Sequence, residues 1–368
     1  MTSERDVARM PLRARASGRV CLLGEHSDWH CASSSSSTIG ACLVVPTREQ
    51  LVCECEHADD DARTAYAFAM TTRERDGRER AFACDLRDRH SLVLEARKGE
   101  YWSYVAGAIV EIVDRYGKTI DFSRGARARC DASALPAKRG LSSSAAACVC
   151  VIRVFASLYE IDMSAEEEMA MAYRAEAVWT PSACGKMDQA CAFAAGEVIS
   201  MTFASNGDVS VRSVKCGKEI TILVGDLGKG KDTVKILESL QKAAAAGHEG
   251  LRHAFGETNL ALVARATDAI ERGDARALGE VYTEAQEVFD AVGREVCPSE
   301  LEAPALHEVL ADAKCRELSF GGKGVGSQGD GCVQFVCASS ASADELQEYL
   351  QSNYPSMGMF LRVTLGSS

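Results

Sequence analysis

Three glycine-rich segments carry residue types that can hold phosphate. The first is LPAKRGLSSSAAACVCVIRVF, residues 135–155. Pro136 breaks the preceding extended stretch and Gly140 permits an unusual backbone angle. Ser142, Ser143 and Ser144 then open an apolar, Ala-rich run. A helix beginning there offers free N–H groups and a partial positive charge, and both attract anions. The serine hydroxyls add donors or a magnesium ligand. The competing reading is a serine-capped core helix, although three consecutive serines after a basic loop exceed what capping needs.

The second segment is GDLGKGKDT, Gly225–Thr233, a near match to GxxxxGK[ST]. Asp232 stands where a hydroxyl residue should bind magnesium, and its charge would repel a triphosphate. A Lys-rich turn is the simpler reading, with Lys229 and Lys231 exposed or reaching toward a substrate phosphate. The third is GVGSQG, whose Gly324, Gly326 and Gly329 spell a literal GxGxxG and flank Ser327. A dinucleotide fingerprint needs a helix directly afterwards. CVQFVC follows instead and reads as a strand, so a glycine hairpin packed against another loop suits the context better.

Carboxylates and one imidazole supply the other chemistry. Glu25, His26 and Asp28 lie within four residues, and a histidine flanked by two acids suits a ligand-binding role. Such side chains suit polyols, because they accept and donate several directed bonds. Asp188 taken alone reads equally as a helix-capping acid. Trp102 reads as core or as a ring-binding platform.

These residues need elements to position them. Residues 17–25 read as a buried strand, and further strands are expected at Ala41–Val45, Leu51–Glu56 and Phe82–Asp85. Helical spacing covers 101–116, 141–159 and 164–178, the last opening on a capping box of Ser164 and Glu167. Strands return over 198–224. Helices then dominate at 232–246, 257–272 and 275–292, before the glycine loop and a final strand FLRVTL. The order implies an α+β protein in two lobes, with a boundary near 205–225.

Length and composition fit this plan. The 368 residues are 46% hydrophobic and 26% charged, which excludes whole-chain disorder. No apolar stretch is long enough for a membrane span, and the first twenty residues lack a signal-peptide core, so a cytoplasmic location is expected. The net charge of −12 argues against nucleic acid or an anionic membrane as main partner. The 16 cysteines include two CxC pairs, Cys53/Cys55 and Cys148/Cys150, and no CxxC. They read as small buried hydrophobes in a reducing compartment.

Taken in order, SGRVCLLGEHSD (17–28), LPAKRGLSSSAA (135–146) and GGKGVGSQGDGC (321–332) resemble the three motifs of the GHMP kinases. Residues 176–189, EAVWTPSACGKMDQ, and 101–109, YWSYVAGAI, resemble galactokinase segments in particular. The resemblance implies a ribosomal-protein-S5-like N-terminal lobe, residues 1–210, and a ferredoxin-like C-terminal lobe, residues 211–368. It implies an ATP- and Mg²⁺-dependent kinase acting on a small-molecule sugar. ATP would bind at Trp102, Lys138, Gly140, Leu141, Ser142, Ser143, Ser144 and Ala145. Ser144 and Glu176 would hold Mg²⁺. Asp188 would take the proton of the acceptor hydroxyl and Arg19 would stabilise developing charge. Glu25, His26, Asp28 and Asp188 would bind the sugar, and Lys186 could contact phosphate.

The sequence departs from galactokinases after Asp28, where Trp29-His30-Cys31-Ala32 and a serine run replace Tyr-Asn-Gly-Gly. Ser327-Gln328-Gly329-Asp330-Gly331 likewise lengthens the third motif. Galactose is therefore one acceptor among several, including other sugars phosphorylated at the anomeric position. A catalytically silent sugar and ATP sensor and a kinase of a non-sugar alcohol such as mevalonate remain the alternatives, with a P-loop NTPase behind them.

Overall fold

The computed structural model describes residues 11–33, 39–58, 64–74, 76–135, 141–182 and 184–366. The chain opens with β1 (Leu12–Leu23), α1 (Ser27–Ser33), β2 (Gly40–Glu56), β3 (Ala67–Arg73) and β4 (Glu79–Asp85). Next come α2 (Arg89–Arg97), α3 (Ser103–Tyr116), β5 (Ala126–Asp131), α4 (Ser143–Tyr159) and α5 (Ala165–Ala177). A 3-10 turn at Asp188–Ala192 precedes β6 (Val198–Phe203), β7 (Val209–Val214) and β8 (Ile220–Asp226). Then follow α6 (Thr233–Ala245), α7 (Glu249–His253), a π turn (Ala254–Thr258), α8 (Asn259–Arg272) and α9 (Ala275–Val296). The remainder is α10 (Pro298–Leu301), α11 (Pro304–Ala311), α12 (Ala313–Leu318), β9 (Ser319–Gly324), β10 (Cys332–Cys337), α13 (Ser340–Asn353) and β11 (Phe360–Leu365). The α+β class read from the sequence holds.

Contacts divide the chain into two compact units. The first comprises Met1–Gly18, Glu49–Ala137 and Ser142–Cys184; the second comprises Arg19–Arg48, Lys138–Leu141 and Gly185–Ser368.

In the first unit, β2 pairs antiparallel with β5 over Val52–Glu56, β5 pairs parallel with β3, and β3 pairs antiparallel with β4. Helices α3, α4 and α5 pack together. α4 is apolar nearly all round because it is buried nearly all round, from Ala145 to Leu158. Phe155 on its inner face stacks on Phe68 of β3 at 5.4 Å between ring centroids. α5 starts at the expected capping box: Ser164 accepts from Glu167 N, and Glu167 reaches back to Ser164 N.

In the second unit, the first residues of β2 pair antiparallel with β6, and β6 with β7. β11, β8, β10 and β9 form, in that order, a fully antiparallel four-stranded sheet. Leu223, Val333 and Phe335 of this sheet pack with Leu306, Leu346 and Leu350. α9 lies against β9, and its N-cap Asp274 accepts from Ala277 N. One expectation changes. Ala41–Val45 and Leu51–Glu56 are a single strand, β2, which continues through Pro46 and the polar stretch Thr47–Gln50. The Pro46 carbonyl still finds a donor in Gly196 N, at 2.9 Å.

Candidate active site

In the second unit, the site is built around Arg19. The last residues of β1 carry Arg19 into a buried position, where its guanidinium pairs with Asp188. Nε donates to Asp188 Oδ1 at 3.2 Å and NH2 donates to the same oxygen. Burial opposes the charge on Arg19, but Asp188 overrides it and the guanidinium pKa is raised. Asp188 opens the 3-10 turn, and its side chain is 28% exposed, so the pair has one solvent-facing member. The backbone N–H of Arg19 donates to the Leu141 carbonyl at 3.1 Å.

Asp28 lies within the field of Asp188. Burial, and then the Asp188 charge, push its carboxyl pKa up to about 6. Backbone N–H groups of Trp29, at 2.9 Å, and of Met187 hold it and limit the rise. Gly185 makes room for it: a Cβ at that position would lie 1.6 Å from Asp28 Oδ2. Two carboxylates and one guanidinium therefore share this part of the unit. One acid is ion-paired with Arg19 and the other is poised to change charge near pH 6.

Glu25 and His26 are each engaged within the same unit. Glu25 pairs with Lys323 at 2.5 Å, with side chains only 8% and 2% exposed. The Lys323 ammonium also donates to the Gly324 carbonyl at 2.9 Å and lies 5.7 Å from the Tyr282 ring centroid. His26, at φ 72°, packs against Phe255 and Phe289 at 5.4 and 5.7 Å, rings that lie 6.1 Å from each other. Trp29 Nε1–H donates to His26 Nδ1 at 3.1 Å. Burial, followed by the charges of Lys231 and Lys323, lowers the imidazole pKa to about 3. His26 is thus neutral, with its proton on Nε2, and that buried N–H has no partner among the described residues.

The glycine loop and the Lys-rich turn form one assembly. Gly326, Gln328 and Gly329 all take positive φ between β9 and β10. Lys231 Nζ donates to the Gln328 carbonyl at 2.6 Å and to the Val325 carbonyl at 3.3 Å. Ser327 Oγ lies 3.4 Å from Thr233 Oγ1. Asp232 caps α6 by accepting from Lys235 N at 3.0 Å. The near P-loop is therefore a helix cap plus a lysine spent on loop carbonyls. The glycine hairpin packed against another loop is what the sequence context implied. Gln286 Oε1 accepts from Gly324 N at 2.7 Å and fixes the other end of the loop. Lys186 reaches the Gly207 carbonyl.

In the first unit, Ser142 takes φ 54° and α4 begins at Ser143 without a side-chain cap. The N–H groups of Ser143, Ser144 and Ala145 have no intrahelical acceptor by position. Ser142 Oγ is buried and has no hydrogen-bond partner among the described residues. That donor-rich helix start fits an anionic phosphate. Glu176 is buried on α5, with Ser182 Oγ 3.4 Å from its Oε1 and Tyr104 close enough to feel its charge. A carboxylate and serine hydroxyls are the hard oxygen donors magnesium takes. Trp102 stacks on Phe82 at 5.5 Å and meets Tyr101 edge-on. Lys138 and Gly140 lie outside the described residues, as do residues 34–38 of the serine run.

Sequence reasoning missed Lys323, Gln286 and the ring pair around His26. Lys323 lay in plain sight inside GGKGVGSQG, but nothing local marks its partner, Glu25, 298 positions away.

Comparison with known proteins follows the same lines. Residues 103–196 match the GHMP kinases N terminal domain. The fold aligns with the mevalonate kinase of Methanococcus jannaschii at a TM-score of 0.73 and 15% identity, covering 97% of this chain and 99% of the other. It aligns with the Lactococcus lactis galactokinase solved with galactose at 0.69 and 16%, covering 99% and 95%. This is the GHMP kinase fold. In sequence, the chain is 29% identical to the galactokinase of Chloroflexus aggregans over 276 residues, or 73% of this chain. The match spans 63% of that galactokinase, so the chain accounts for about three fifths of this relative's length. No described helix of this GHMP kinase fold is long and apolar enough to cross a membrane.

Proposed function

We propose that the protein is an ATP-dependent kinase that phosphorylates a hydroxyl of a small polyhydroxylated molecule, a monosaccharide at its anomeric position. The observation that carries this reading is the Arg19–Asp188 pair with Asp28 beside it. A structural ion pair would not need a second carboxylate in the same field, whereas phosphoryl transfer to an alcohol needs a proton acceptor and a nearby cation. The galactokinase relative and the GHMP kinase N-terminal match support it.

In this reading Asp188 accepts the proton of the attacking hydroxyl. Arg19 holds Asp188 in its orientation until then, and stabilises negative charge as it develops. Glu25, His26 and Asp28 bind the acceptor, and the partnerless Nε2–H of His26 is the donor best suited to a hydroxyl oxygen. The N–H groups of Ser143, Ser144 and Ala145 and the Ser142 hydroxyl bind the β- and γ-phosphates, with Leu141 and the loop before it. Trp102 lies on the adenine side. Ser144 and Glu176 would hold Mg²⁺, which supplies charge neutralisation on the phosphates. Gly324, Gly326, Ser327 and Gly329 form the late glycine loop that the reading assigns to the substrate site. The lobes of this reading are residues 1–210 and 211–368, and the enzyme is cytoplasmic.

The test is a panel of monosaccharides with ATP and Mg²⁺, with the product position read by NMR. Phosphate at C1 supports the reading, and turnover of no monosaccharide sinks it. Mevalonate belongs in the panel, because the M. jannaschii mevalonate kinase shares the fold. Asp188→Asn is expected to lower kcat by ~10² or more. Full activity in that variant would exclude Asp188 as the base and favour a sensor or a different proton acceptor.

A further inference from the structure

Three thiols meet in the core of the first unit. Cys53 on β2 and Cys130 on β5 are directly opposed across the antiparallel ladder. Cys150 projects onto them from α4, with its Sγ 3.3 Å from Cys53 Sγ. All three sulfurs lie within 4.8 Å of one another, and among the described residues this is the one such group of metal-binding type. The residues are 0%, 5% and 0% exposed. All are free thiols.

A single atom bonded to three sulfurs at roughly 2.3 Å, the usual thiolate range, holds them about 3.5–4 Å apart, the shorter value for a pyramidal centre. The three sulfurs, 3.3 Å apart at the pair Cys53–Cys150 and all within 4.8 Å of one another, bracket that spacing. Charge decides which atom fits. Three thiolates on a divalent cation leave one negative charge, and on a monovalent cation two, in a desolvated core where unpaired charge is costly. Among the described residues, the cation whose charge reaches the cluster is Arg153, through Cys150, and it is already paired with Glu168 and bonded to the Arg15 carbonyl. A trivalent centre leaves no charge.

We propose that Cys53, Cys130 and Cys150 form a binding site for trivalent, thiophilic oxyacids of the arsenite and antimonite class. Neutral As(OH)₃ enters, three As–S bonds form, and three As–O and three S–H bonds break. Three waters leave, arsenic remains trivalent and no electron moves. The two CxC motifs each contribute one member, Cys53 and Cys150, while their neighbours Cys55 and Cys148 face the Leu12 and Tyr104 carbonyls.

The test is titration of the full-length reduced protein with sodium arsenite, followed by native mass spectrometry and arsenic-edge X-ray absorption. One arsenic gained with three hydrogens lost, and a shell of three sulfurs without oxygen, are the expected results. Cys150→Ser should weaken uptake at least tenfold, whereas Cys315→Ser, a buried thiol of the other unit, should not. Equal uptake by Cys150→Ser, oxygen in the arsenic shell, or displacement of arsenite by equimolar zinc overturns the proposal. If Cys150→Ser fails to fold, the absorption spectrum of the wild-type adduct decides by itself. None of these readouts depends on kinase activity, so this result and that of the sugar panel stand apart.

Discussion

Gly185→Ala is a one-methyl perturbation with a large consequence at Asp28. The new Cβ would sit 1.6 Å from Asp28 Oδ2 and 2.2 Å from its Cγ. Ordinary contact begins near 3.4 Å, so the carboxylate must retreat by nearly 2 Å or the Gly185 backbone must shift as far. Retreat of the carboxylate breaks the bond from Trp29 N, now 2.9 Å long, and a shift of the backbone draws Met187 N away from the same carboxylate. Losing a hydrogen bond to a charged group costs roughly 1.5–3 kcal/mol. Alanine returns about 0.4–1 kcal/mol by restricting the unfolded chain. The net loss of stability is therefore about 1–2 kcal/mol, read by denaturant unfolding. The effect on turnover should be larger, because misplacing a substrate-binding group by about 1 Å can cost 10²-fold. Steady-state kinetics should show kcat/KM for the acceptor down by about that factor, with KM for ATP little changed. A variant with wild-type kcat/KM would refute a role for Asp28 in holding the acceptor. A variant that loses ATP affinity equally would show that Gly185 acts on the fold at large.

Asp28→Asn tests the same carboxylate by pH. Its pKa rises from 3.8 to about 6 in the folded protein, so between those values the native state binds more protons than the unfolded one and stability falls as pH rises. The asparagine variant escapes that loss, so its Tm relative to wild type should be higher at pH 8 than at pH 4, by the equivalent of roughly 1–3 kcal/mol. Glu25→Gln leaves Lys323 buried without its counter-ion and should cost roughly 3–5 kcal/mol in denaturant unfolding. The double change with Lys323→Met should recover most of that. Lys231→Met strips the donor from two loop carbonyls and should cost roughly 1–3 kcal/mol. If nucleotide hydrolysis vanished in that variant while stability stayed at the wild-type value, the Lys-rich turn would be a phosphate loop after all.

Much of the fold was legible because its signals are local. The capping box at Ser164 and Glu167, the serine-led start of α4 and the strand after GVGSQG each depend on residues a few positions apart. β2 was misjudged as two strands because Pro46 and Arg48–Gln50 look like a break; pairing on successive edges carries the strand through them. The site was legible only in its motif residues. His26 was expected among sugar hydroxyls on the strength of its acidic neighbours. Its ring packs into a cluster with Phe255 and Phe289, which no spacing near residue 26 announces. The cysteines read as buried hydrophobes, which the structure bears out for all but the partly exposed Cys84, Cys184 and Cys216. Convergence of three of them depends on strand register and helix placement, and neither is written in the spacing of cysteines along the chain.

The bond from Lys231 to the Val325 and Gln328 carbonyls joins two turns that lie 94 and 97 positions apart. Each turn is only half of a part. Exchanging the late glycine loop for that of a homologue, as is often done to alter substrate choice, would deliver a loop shaped for a different brace. A lysine retained without its carbonyls would be a buried cation with nothing to hold. Chimeras of this chain should therefore be cut so that residues 225–233 and 321–332 travel together.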